Sequence, residues 1–219
     1  MALTISPPTK ELSGNPGDAL LTTVVLYNET AQPLTVYPTL MNFNAGKDES
    51  GQAQFYPADQ DPKGTALAPW VRIPSSRITL TPKQRTEVSV AINIPNNATP
   101  GGHYGAMLFG DTPPAKAGAV GVNAQVAVLL LVRVNGKVTE QGRIAEFSRV
   151  GSGVYEALPI DLFLRFENDG NTHLQPSGTI FVTNLLGMQV AALPFNPTVR
   201  NVLPQSIRRF STNWQQTSV

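Results

Sequence analysis

The sequence predicts an all-β protein made of two tandem immunoglobulin-like β-sandwiches, the second short or incomplete. Three observations carry that prediction. First, the 219 residues hold 18 glycines and 19 prolines, spread along the whole chain. The usual combined share is about 12%, and a typical helix needs about a dozen uninterrupted residues. Second, the windows that do reach that length (18–32, 83–94, 122–135 and 205–219) read as strands. Third, turn signals recur between them: Asn15-Pro-Gly17, Ala45-Gly46, Ala98-Thr-Pro-Gly-Gly102, Asn135-Gly136, Asn168-Asp-Gly170 and Leu186-Gly187. Short strands with regular punctuation imply an antiparallel sandwich.

The expected strands of the first part are 3–6, 19–27, 34–43, 53–56, 67–73, 77–81, 86–94, 103–109 and 122–134. The run Leu20-Leu-Thr-Thr-Val-Val-Leu-Tyr27 is β-branched and aromatic, and reads as apolar on both faces. Val88, Val90, Ile92 and Ile94 alternate with Glu87, Ser89, Ala91 and Asn93, a period of two that buries one face. Val126 to Val134 reads as a second strand apolar on both faces. Two segments interrupt the list. Residues 44–66 are polar and acidic, and residues 111–121 read as a loop.

Seven to nine strands in the first 135 residues match one immunoglobulin-like domain, 1–135. A linker, Asn135 to Gly142, leads to a second domain, 143–219, with strands at 143–150, 158–168, 177–184, 188–195 and 206–214. Ile160, Leu162, Leu164 and Phe166 alternate there with Asp161, Phe163, Arg165 and Glu167. Five strands fall short of an ordinary sandwich of about 100 residues. The expectation is that strands have been cut from this domain, or that a partner supplies one.

Composition excludes whole classes of function. A formal charge of +1 lacks the basic footprint of a nucleic-acid binder. Zero cysteines remove disulfides, thiol nucleophiles and thiolate metal sites. His103 and His173 are the sole imidazoles, too few for an ordinary histidine metal centre. No Gly-x-Ser-x-Gly, phosphate-cradling loop or dinucleotide fingerprint occurs, so the expectation is a non-enzyme without cofactor or metal. The opening Met-Ala-Leu-Thr-Ile-Ser-Pro-Pro has neither the basic nor the apolar region of a signal peptide. Val122–Val134, the longest apolar stretch, is too short and polar to span a bilayer.

Binding candidates are correspondingly few. Tyr56, Trp70, His103 and Tyr104 form the candidate ligand-binding set, with the aromatics able to stack on a carbohydrate. His103 and Tyr104 are strand neighbours pointing to opposite faces, so only one is expected in the core. His173 follows Asn168-Asp-Gly-Asn-Thr172 and reads as part of a turn. The acids Asp48, Glu49, Asp59 and Asp61 do not match an EF-hand and read as a solvated loop. The run Val126–Val132 reads as a central core strand. As a donor strand of the kind pilus chaperones use, it would work beside Lys10 and Arg133 as a cationic clamp.

Several stretches suggest a family. Ile5-Ser-Pro-Pro, Asn15-Pro-Gly-Asp18 and Val24-Val-Leu-Tyr-Asn-Glu-Thr30 look like the opening of periplasmic-chaperone-like and related bacterial immunoglobulin domains. Arg77-Ile-Thr-Leu-Thr-Pro-Lys83, Val88 to Pro95 and Pro100-Gly-Gly-His-Tyr-Gly-Ala-Met-Leu-Phe109 resemble the N-terminal domain of the WxL-interacting surface proteins. Phe166 to His173, Pro176 to Ile180 and Leu203 to Phe210 resemble its companion domain. That resemblance implies an exported cell-surface protein that binds peptidoglycan or a surface protein partner. It also implies a signal peptide and a C-terminal membrane anchor, neither visible in this chain. The alternative is a periplasmic-chaperone-like assembly factor, or a surface-fibre subunit, acting by strand addition.

Overall fold

A computed structural model describes residues 2–113, 126–151 and 158–215. Residues 114–121 of the expected loop and 122–125 of the expected strand lie outside the described residues. The chain forms two compact units: Met1–Asn44 with Phe55–Lys137, and Ala45–Gln54 with Val138–Val219.

In the first unit, β1 (Leu3–Ser6) ends at Pro7-Pro8, where two consecutive residues without an N–H break the ladder. The chain resumes as β2 (Thr9–Gly14) in a different sheet. Then come β3 (Ala19–Asn28), β4 (Leu34–Ala45), β5 (Ala53–Pro57), a single 3-10 turn (Ala68–Trp70), β6 (Val71–Arg72), β7 (Ile78–Leu80), β8 (Arg85–Asn93), β9 (Gly101–Gly110) and β10 (Val126–Val134). One sheet has the order β1-β3-β8-β6. The other has the order β2-β10-β9-β4-β5, with β7 added on β4. Residues 67–73, expected as one strand, are instead the 3-10 turn and the two-residue β6, because Pro69 removes a ladder donor. β2 was not expected, since Thr-Lys-Glu-Leu-Ser-Gly carries no apolar alternation.

The core between these sheets takes Val24 and Leu26 from β3, Val88, Val90 and Ile92 from β8, Met107 and Phe109 from β9, and the even positions Val128 to Val134 of β10. The period of two seen in β8 therefore sorts core from solvent as expected. The expectation for β3 fails on one face: Leu21 is 80% exposed.

The second unit carries β11 (Gly142–Arg149), β12 (Ile160–Asn168), β13 (Gly178–Thr183), β14 (Gln189–Phe195) and β15 (Ser206–Trp214). β11-β12-β15 form one sheet and β13-β14 the other. Its core is small: Leu164, Phe195, Val202 and Phe210, with Phe166 and Ile180 packed against them. The Phe195 and Phe210 rings meet edge to face at 5.0 Å. In register, Ile144 pairs with Phe166 and Phe147 with Leu164, so both share the side of that core. Yet they are 59% and 52% exposed, since the opposing sheet has just two strands among the described residues.

Glu49 shows that the acidic segment is not simply solvated. Its carboxylate takes two hydrogen bonds from the Arg165 guanidinium, at 2.7 and 2.5 Å, while Glu146 holds a third nitrogen at 3.1 Å. The Glu49 carbonyl accepts from the Arg209 amide at 2.8 Å. The Arg165 hydrogen bonds hold the Glu49 carboxyl below its usual pKa.

Candidate functional site

Two features of the first unit have the geometry of a site: a loop cleft at one end of the sandwich and the half-open edge of β10.

The cleft is built from the bottom up by one side chain. Asn42, on β4, is completely buried. Its Nδ2 donates to the carbonyls of Pro57, Ala58 and Gln60 at 3.3, 3.2 and 3.0 Å. Its Oδ1 accepts from the amides of Leu67 and Ala68 at 3.0 and 2.8 Å. Both arms of the 57–68 segment are thus tied to one amide. Asp61 closes the segment on itself, its Oδ1 accepting from the Thr65 and Ala66 amides at 2.8 and 3.1 Å. The Tyr104 amide donates to the Thr65 carbonyl at 2.8 Å and fastens the segment to β9. Gly105 permits this approach, because a Cβ there would lie 3.1 Å from Leu67 and 3.2 Å from the Ala68 nitrogen.

The pinned segment faces the β8–β9 turn and encloses about 340 Å³, lined among others by Asp59, Asp61, Trp70, Asn97, Thr99 and His103. The Trp70 and His103 rings pack in a tilted arrangement, with centroids 4.3 Å apart and planes inclined at 43°. The His103 Nε2 lies 2.9 Å from the Thr99 carbonyl. A carbonyl can only accept, so Nε2 carries the proton and Nδ1 holds a lone pair. That Nδ1 is buried and has no hydrogen-bond partner. Burial pushes the imidazole pKa down. The Thr99 and Ala66 carbonyls and the Asp61 carboxylate oppose the shift.

The structure brings together two of the four sequence-predicted residues, Trp70 and His103. Tyr104 faces the other side of β9 and packs on Phe43 at 5.8 Å. Tyr56 does not line the cleft; it is half-buried, and burial raises the pKa of its phenol. The expectation that just one of His103 and Tyr104 is inside is corrected: they are 3% and 2% exposed. β9 is an interior strand covered on both faces, so opposite directions do not mean opposite burial. Sequence reading missed Asn42 and the β8–β9 turn as site builders. The pair Asp59 and Asp61 was visible, but nothing in the sequence tied it to Trp70.

β10 is paired with β9 along its whole length, from Val126–Phe109 to Val134–Gly101. On its other side β2 runs parallel to it from Leu129–Thr9 onward. The Leu129 amide donates to the Pro8 carbonyl at 2.9 Å, so the backbone groups of Leu129 point toward β2. Residues two apart point the same way. Ala127 therefore presents its N–H and C=O on that side, where no strand pairs with Val126–Val128 among the described residues. The cationic clamp of Lys10 with Arg133 does not form. Lys10 is in register with Leu130, which faces the core, whereas Arg133 has the opposite parity and points to the other face.

No family model matches the chain, and no curated protein does. Among solved structures, it is similar to the class 5 fimbriae chaperone CfaA, at 12% identity and a TM-score of 0.50, over 95% of this chain and 84% of that one. The chain shares the fold of a fimbrial chaperone. It also aligns, at 14% identity and a TM-score of 0.47, with a chain of the CsuC–CsuE chaperone–tip adhesion subunit pre-assembly complex from the archaic Csu pili of Acinetobacter baumannii, over 96% and 90% of the two chains. The chaperone YadV aligns at 14% identity and a TM-score of 0.47 over 95% and 84%.

These findings overturn the resemblance to WxL-interacting proteins and the peptidoglycan-binding reading that rested on it. The stretches that carried it are turns and strand ends that many immunoglobulin-like sandwiches need. In Asn15-Pro-Gly-Asp18, for example, the Asp18 carboxylate accepts from the Asn15 amide at 2.7 Å, and Gly17 takes φ 90°. Such residues fix a turn and carry no ligand information. No helix among the described residues is long and apolar enough to cross a membrane.

Proposed function

We propose that this protein is a non-enzymatic, extracytoplasmic assembly chaperone that engages an incomplete immunoglobulin-like surface-fibre subunit by strand addition. The observation that carries the reading is the one-sided pairing of β10 at Val126–Val128. A strand with free backbone groups on one side and apolar side chains is a template for an incoming strand. Val126, Val128 and Leu130 lie on one face of it, and the whole strand is fixed from behind by β9. The fold shared with a fimbrial chaperone supports the same reading. Partner recognition here is main-chain hydrogen bonding plus apolar contact, with no chemistry on the client.

The test is co-expression with the fimbrial-type subunits of the protein's own organism. A one-to-one complex on size exclusion is expected, with slowed amide exchange at Ala127. Ala127→Pro removes the free donor at an edge position where proline is tolerated. It is expected to abolish the complex while the free chain keeps its melting temperature. Complexes that form equally well with Ala127→Pro would sink the reading, as would the absence of any complex across those subunits.

A further inference from the structure

The cleft at the end of the first unit points to a ligand of defined chemistry. We infer that it binds a guanidinium group, stacked on Trp70 and hydrogen-bonded by the acceptors around it.

Three features of the lining agree. Its charged residues are the carboxylates Asp59 and Asp61; no lysine or arginine lines the cleft. Trp70 offers an aromatic face, backed by the His103 ring, and indole is the strongest side-chain partner for a cation. His103 is 3% exposed and its Nδ1 has no hydrogen-bond partner, a buried acceptor within the lining. Leaving a buried acceptor unpaired is costly, and functional sites are where such costs persist.

A lining of two carboxylates, a buried imidazole acceptor and an indole fits a guanidinium better than an ammonium. Guanidinium is planar, stacks on aromatic faces and spreads five donors in a fixed fork. A volume of 340 Å³ lies at the small end of the usual range of about 300–1,000 Å³, room for one side-chain-sized group. The cleft is also preorganised. Asn42 and Asp61 already hold the 57–68 segment, so little ordering remains to oppose binding. The inference does not depend on strand addition at β10, and its test reads a different part of the unit.

The two tryptophans are Trp70 and Trp214. In a Trp214→Phe background, fluorescence reports Trp70 alone. The probes are agmatine, a free guanidinium, and the peptide acetyl-Ala-Arg-Ala-amide, with the citrulline peptide as neutral isostere. A saturable change in Trp70 emission with one or both guanidinium probes is expected, weakened by added salt. Tighter binding of the peptide assigns the source to an arginine side chain of a protein. Equal or tighter binding of agmatine assigns it to a small free cation. Asp59 takes no part in the network that holds the segment, so Asp59→Asn should leave the fold intact and weaken binding about fivefold. Amide shifts at Ala98 and Thr99 give a second readout on the opposite wall. No saturable change below about 10 mM overturns the inference. So does equal binding of the citrulline peptide, or an Asp59→Asn variant that binds as well as the parent.

Discussion

Asn42 is the residue on which the cleft depends. One buried amide satisfies three carbonyls and two amides of a segment that has no regular structure over most of its length. Asn42→Ala would leave those five groups short of a partner, in a place that water reaches poorly. The expected loss is about 3 kcal/mol of stability, measured by denaturant unfolding. The same variant should lose the Trp70 response to guanidinium, since the floor and walls of the cleft would no longer be held together. His103 makes a second prediction at this scale. Its folded pKa lies below the ordinary 6.5 because burial opposes the charged form. The unfolded chain therefore binds the proton first. Stability is full above about pH 6.5 and falls as the pH drops below it, until the folded value is passed. His103→Gln, which can still donate to the Thr99 carbonyl, should remove that slope in unfolding measured between pH 7 and the acid range. An unchanged slope would assign it to other groups. Neither residue's role was legible beforehand. A lone asparagine in an apolar run, Leu40-Met-Asn-Phe43, gives no hint of five partners, because those partners come from 15 to 26 residues further along the chain.

At the scale of elements, period-two alternation was a reliable guide wherever one face alone is buried. β8 follows the pattern read from Val88–Ile94, but in β12 Leu164 alone of Ile160, Leu162, Leu164 and Phe166 is buried, and Phe163, Arg165 and Glu167 are half-buried too. It was silent on β2, which lies at a sheet edge and is held through its backbone by β10, so its side chains have no need to alternate. β3 was read instead as apolar on both faces, and there an apolar outer residue, Leu21, is left in water. The segment 45–54 escaped sequence reading for a different reason. It looked like a solvated acidic loop, yet Glu49 pairs with Arg165, a partner 116 residues away. The pairing has a testable pH signature. Hydrogen bonding by Arg165 lowers the Glu49 pKa in the folded chain from 4.5. Stability from the pair is present above that value and is lost as the pH falls through the lowered one. Solvent screens the pair, so the effect should be modest, about 1 kcal/mol or less. Glu49→Gln should lower stability at neutral pH and flatten acid unfolding below pH 4.5, as followed by circular dichroism.

At the scale of the whole molecule, the contrast between the two cores sets how the chain responds to stress. The first unit packs apolar residues from eight strands of its two sheets into one cluster, among them Val24, Ile92, Phe109 and Leu130, all completely buried. The cluster of the second unit is built on Leu164, Phe195, Val202 and Phe210, none of which exceeds 9% exposure, beneath a sheet of just two strands among the described residues. Burial of apolar area is the main stabilising term, so a smaller core with Ile144 and Phe147 left half-exposed should open first. Native-state hydrogen exchange is expected to show the amides of β12, β14 and β15 losing protection at a denaturant concentration where β8, β9 and β10 still keep theirs. Phe210→Ala removes one ring of the edge-to-face pair with Phe195 and should cost about 3–5 kcal/mol. That is enough to abolish protection in β12, β14 and β15 under native conditions. Uniform loss of protection across all fifteen strands would show instead that the chain unfolds as a single cooperative body, and that the small second core draws its stability from elsewhere.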